Sequence, residues 1–135
     1  MSDTPETEIR KRIDGIEEAY EYMLAYAAQG RDREDVSEDG GIRKFLGDAV
    51  AALDGLHLVA QERLAAISIP AAPWADFLEI LEADAARAKT LIAFALSQPV
   101  LSSELIDNLN ATNHVRTLLT DVFLLDSAFG AHESA

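Results

Sequence analysis

Apolar residues in this chain recur every three to four positions in four long runs, and each run stops at a glycine or proline. That period is the signature of a helix with one buried face, near 100° per residue, and no alternating strand pattern competes with it. The first run starts at Thr4-Pro5-Glu6, with proline in the first turn and acids at the positive end of the dipole, and continues to Gln29 before Gly30. The second extends from Ile42 to about Ile67, ahead of Pro70, and the third opens at Pro73 and ends before Pro99. Ser102 or Ser103, followed by Glu104, caps the fourth, which ends near Phe129-Gly130.

The inward faces follow from the period. They are Ile9, Ile13, Ile16, Tyr20, Met23, Leu24 and Ala27 in the first run, and Ile42, Phe45, Leu46, Ala49, Leu53, Leu56, Ala60, Leu64 and Ile67 in the second. The third presents Trp74, Phe77, Leu78, Leu81, Ala85, Ala88, Ile92 and Ala95. The fourth presents Leu101, Leu105, Leu109, Val115, Leu119, Val122 and Phe123, with Leu118, Leu125 and Phe129 widening its arc. Four helices of similar length joined by short breaks predict an all-α protein, an antiparallel up-down-up-down four-helix bundle. The 135 residues suit one domain. Residues 30–41, charged and nearly free of apolar side chains, are expected to be a mobile connection, and the two ends of the chain to be short and flexible.

Charge narrows the partners. Asp and Glu number 24 against 11 Lys and Arg, a formal net charge of -13. The densest basic cluster, Arg10-Lys11-Arg12, is flanked by Glu6, Glu8 and Asp14. Neither nucleic acid nor an anionic membrane is therefore an expected partner, because both need a patch that neutralises phosphates. A basic partner is favoured instead. Zero cysteines exclude disulfides, zinc ribbons and thiol chemistry. The start, Met1-Ser-Asp-Thr-Pro-Glu, lacks the basic and apolar regions of a secretory signal, and the longest mostly apolar stretch, Thr90 to Leu96, is far below the ~20 residues that span a bilayer. A cytoplasmic location is expected.

Some polar residues fall within apolar arcs. Antiparallel topology would put Arg12, Arg63 and Asp126 together at one end near Trp74, and Tyr20, His57, Asp84, Thr112 and Arg116 nearer the middle. Asn108 also lies in the fourth arc. Paired polar groups can simply fix helix order and register. The functional alternative is a pocket between helices in which Arg116 or Arg63 holds a small anionic ligand while His57 and Tyr20 position or protonate it.

Catalytic and cofactor motifs are sparse. Asp54-x-x-His57 is the nearest approach to the Glu-x-x-His pairs of di-iron bundles, and it has no twin, so no metal and no cofactor are expected. Glu17-Glu18-x-x-Glu21, with Glu79-x-x-Glu82, is similar to the acidic helices of all-α nucleotide pyrophosphohydrolases, which hold magnesium. Here the first trio sits off the apolar face, and the family is not assigned. An outward His114 in mid-helix beside Arg116 resembles a histidine phosphotransfer domain. The His-x-x-Lys-Gly pattern of that family is replaced, with Thr117 and Leu118 at its last two positions. The leading expectation is a non-enzymatic interaction or accessory protein that binds a protein partner or a second copy of itself through helix faces. Gly47, Ala51, Gly55 and Leu58 on the second run and Phe94 on the third are candidate contact residues. A polar inter-helix pocket is the alternative.

Overall fold

The computed structural model describes residues 4–34, 41–67 and 71–133. These residues form six helices and, among the described residues, no strand: α1 (Pro5–Ala27), α2 (Ile42–Leu53), α3 (Leu56–Ile67), α4 (Ala71–Leu96), α5 (Ser103–Ala111) and α6 (Asn113–Glu133). The all-helical expectation holds. Two of the four expected runs are interrupted, however, each for a local reason. No described helix is long and apolar enough to cross a membrane.

The second run breaks at Asp54-Gly55. Asp54 is extended, with ψ 113°, and Gly55 takes φ +71°, a left-handed conformation that a side chain adopts only with strain. The carbonyls left open at the end of α2 are taken by Arg12 of α1. Its guanidinium donates to Ala52 O at 3.2 Å and to Asp54 O, while its Nε donates to Glu8 at 2.9 Å. A cation there also meets the negative end of the helix dipole. Arg12→Ala is expected to lower stability by about 1–2 kcal/mol in urea unfolding, and an unchanged midpoint would contradict this capping role.

The fourth run breaks at Thr112, which is extended at φ -63° and ψ 140°. Its hydroxyl donates to Leu109 O at 2.9 Å and accepts from Val115 N at 3.3 Å, closing α5 and capping α6 with one side chain. Elsewhere the expected caps are found. Thr4 accepts from Thr7 N at 3.1 Å, and Ser102 accepts from Leu105 N at 3.0 Å. α4 begins at Ala71, so Pro73 lies within its first turn, where its missing N–H costs nothing.

Named contacts fix the directions. Arg12 meets Ala52 and Tyr22 stacks on Phe45, so α1 and α2 are antiparallel. Arg43 donates to Leu96 O while Lys89 pairs with Asp54, so α2 and α4 are antiparallel. Trp74 stacks on Phe129 and Asp84 faces Asp121, which makes α4 and α6 antiparallel as well. The shared core includes Ile13, Met23, Leu46, Leu56, Leu81, Ile92, Ile106, Val122 and Leu125.

Some positions differ from the projection. Phe123 is 51% exposed and Leu24 46% exposed, whereas Tyr26 and Ile106 are buried; Leu118, Leu125 and Phe129, which widen the fourth arc, are buried as well. Tyr22 lies half-buried with its ring centroid 4.2 Å from that of Phe45. The strip of small residues on the second run is divided between α2 and α3, and Gly55 is there for its backbone conformation.

The expected mobile connection is tied down at its start, and residues 35–40 lie outside the described residues. Arg31 N donates to Ser103 Oγ at 2.8 Å, and Ser103 N donates to Arg31 O at 2.9 Å. Ser103 Oγ donates to Tyr26 O at 2.7 Å, and the Tyr26 hydroxyl donates to Leu101 O. Glu34 accepts from Leu101 N at 2.7 Å and pairs with Arg43 at 2.8 Å, and Arg43 in turn donates to the carbonyls of Leu96 and Gln98 at 3.0 Å. This clasp satisfies the open backbone groups where α4 ends and α5 begins.

Candidate functional site

The five mid-height polar residues lie in different surroundings. Tyr20 lies half-buried beside a cavity of about 20 Å³ walled by Ile16, Met23, Leu53, Ile92 and Leu118, an apolar space with nothing to hold a polar ligand. His57 Nε2 stands 3.5 Å from Glu82 Oε2 across α3 and α4. Asp84 accepts from Arg87 at 3.2 Å and faces Asp121. Thr112 is the double cap, and Arg116 is exposed. They do not gather round one cavity.

The expected end cluster also separates. Arg12 caps α2, and Asp126 pairs with Arg10 at 2.6 Å. Arg63 is buried, as its place in the apolar arc implied, with its guanidinium 5.7 Å from the Phe129 ring centroid and Nη2 3.9 Å from Glu6. Trp74 reaches the same ring, so this pair does meet near one end as expected. Asp54 is exposed and bound to Lys89 at 2.7 Å, on the far side of a helix break from His57. No group of three or more metal-ligating side chains occurs among the described residues. The break at Thr112 puts His114 in the first turn of α6, exposed but not in mid-helix. His132 lies in the last turn of α6 with its ring 6.4 Å from that of Trp74. The buried amide of the fourth run is Asn110, with neither polar atom hydrogen-bonded, and Asn108 is exposed.

A different place stands out, the seam between α4 and α6. Along its outer side is an open groove of about 440 Å³ lined by Pro73, Trp74, Phe77, Leu124, Ala128 and His132. The Trp74 indole stacks on Phe129, with centroids 5.1 Å apart, and meets Phe77 edge-on at 6.3 Å. The aromatic ladder is thus anchored in the core through Phe129, which is 1% exposed. Leu124 and Ile80, from the same two helices, are 58% and 55% exposed. Apolar side chains this open beside an aromatic floor form a surface able to bind.

Further along the seam sits the Asp84–Asp121 pair. Desolvation first, then the hydrogen bond and charge of Asp84, push Asp121 up to about 7. Its Oδ2 is enclosed without a hydrogen-bond partner. Asp84 is tempered by Arg87 and its side chain is 13% exposed. The periodicity reading placed Asp84 inward correctly but passed over Asp121. A carboxyl directly across an antiparallel seam is visible only once the phase of α6 is known.

Comparison of the chain with protein-family models, with curated proteins and with solved structures found no match.

Proposed function

We propose that this chain is a non-enzymatic interaction protein that seats a basic amphipathic helix of a protein partner in the α4–α6 groove. In this reading the six helices act as four rods, α1, α2 with α3, α4, and α5 with α6, in an up-down-up-down bundle whose fourth rod leaves one face open. The observation that carries it is the exposed apolar trough, with Leu124 58% exposed, on a chain of net charge -13. A helix laid into such a groove buries its apolar stripe on Trp74, Phe77 and Leu124. Asp76, exposed on α4, and the chain's net charge of -13 favour a basic polar face on the guest. A second copy fits less well, because two chains of charge -13 repel. Among the described residues that line the groove, His132 is the one with a titratable side chain, which favours binding over chemistry.

Trp74 is the sole tryptophan and lies in the groove, so its fluorescence reports occupancy. A Leu–Lys amphipathic helical peptide is expected to saturate the signal with a Kd of roughly 1–100 μM, weakening with salt, while its Leu–Glu counterpart leaves it unchanged. Leu124→Glu is the discriminating variant. It adds negative charge, so purely electrostatic attachment would tighten, whereas groove docking weakens by about tenfold or more. Equal responses to both peptides, or tighter binding by the variant, would contradict the proposal.

A further inference from the structure

The α4–α6 seam has a carboxyl pair at its centre where apolar packing would have served. Asp84 and Asp121 face each other at hydrogen-bonding range, one oxygen of Asp121 enclosed without a partner. Two carboxyl groups hydrogen-bond only while one of them holds a proton, and two carboxylates at that range repel. α6 packs on α4 more than on any other element, so the pair sits where α6 is held to the rest of the molecule. We propose that Asp84 and Asp121 form a proton-operated latch, in which a shared proton ties α6 to α4 and its loss leaves two like charges that loosen the C-terminal half of α6. The latch acts whether or not a partner occupies the groove beside it.

The other charged groups around the seam are engaged or turned outward. Arg87, on α4, binds Asp84 at 3.2 Å, and Lys89 pairs with Asp54 beside α2. On α3, His57 stands with Glu82 of α4, and on α1, Arg10 and Glu17 meet α6 at Asp126. Glu104 and Asp107 of α5 and His114 and Arg116 of α6 are exposed, and His132 lies against Trp74. Arg87 therefore lies on the Asp84 side of the pair, and the enclosed oxygen belongs to Asp121.

Asp121→Asn is the test. The amide keeps the shape of a protonated carboxyl and donates to Asp84, closing the latch at every pH. In the wild type, α6 amide exchange corrected for its intrinsic rate is expected to quicken about tenfold or more as pH rises from about 4 to about 7 and to level off above it, with a change in Trp74 fluorescence near neutrality. The variant is expected to show neither. The sign follows from linkage. A carboxyl raised in the folded state binds more protons folded than unfolded, so its contribution to stability falls as pH rises from about 4 to about 7. The stability advantage of Asp121→Asn over wild type should widen across that window. All three histidines remain in the variant, so a transition due to imidazole would persist in it and overturn the latch. Carboxyl carbon NMR on the wild type tests the same point without a variant: titration of Asp121 near neutrality supports the latch, and titration near 4 overturns it.

Discussion

Phe129→Ala is expected to lower the unfolding free energy by about 3–5 kcal/mol, the largest effect of any single change considered, because the ring is fully enclosed and removal leaves a cavity. The ring is 1% exposed, with the Trp74 indole stacked at 5.1 Å and the Arg63 guanidinium 5.7 Å from its centroid. Its loss removes packing from a buried cation as well as from the floor of the groove. Trp74 emission should shift to the red as the indole gains water. Phe123→Ala provides the contrast. At 51% exposure it should change stability by no more than about 0.5 kcal/mol. Comparable losses from the two variants would show that α6 is rotated relative to the phase described.

The second large effect is at the clasp. Glu34→Ala is expected to cost about 2–3 kcal/mol, since it leaves the Leu101 N–H and the Arg43 guanidinium without their shared acceptor. Glu34→Gln keeps an acceptor and should lose roughly half as much. Burial works against the charge of Glu34, but the hydrogen bonds from the Leu101 amide and its own amide, together with Arg43, outweigh it and hold the carboxyl below its ordinary range. A lowered folded value stabilises fully above the unfolded range and is lost as pH falls through the lowered one. Acidification from about pH 5 to pH 3 should therefore cost the wild type more stability than Glu34→Gln. An equal slope for the two proteins would remove Glu34 from the clasp.

These sites differ in how far they could be read from sequence. The α4 face, Leu78, Leu81, Ala85, Ala88, Ile92 and Ala95, follows directly from the 3.6-residue period, and all six are buried. In α6 the same projection places Val115, Leu118, Leu119, Val122, Leu125 and Phe129 inside, where they are buried, but it also puts Phe123 inside, which is exposed, and it runs straight through Thr112, where the helix restarts. Asp54-Gly55 and Thr112 are themselves turn and cap residue types, so the interruptions were visible as local chemistry although periodicity concealed them. Glu34 could not be found this way. Its partners Arg43 and Leu101 lie nine and 67 residues away, and no helical repeat relates them.

The candidate site was legible only in part for a similar reason. Trp74, Phe77 and Asp84 were placed on the inward side of α4, but whether a face is covered depends on where the neighbouring helix lies. Leu81 and Ala88 are fully buried, whereas Trp74 and Phe77 of the same face are half open. The groove is thus a product of tertiary geometry.

Amide exchange on the full chain with the Leu–Lys peptide bound gives the most direct answer to whether that groove is where partners dock. Slowed exchange confined to residues 71–82 and 121–133 is the expected footprint. Protection of the α1–α2 side around Lys11 and Asp48, with the α4–α6 segments unchanged, would contradict it.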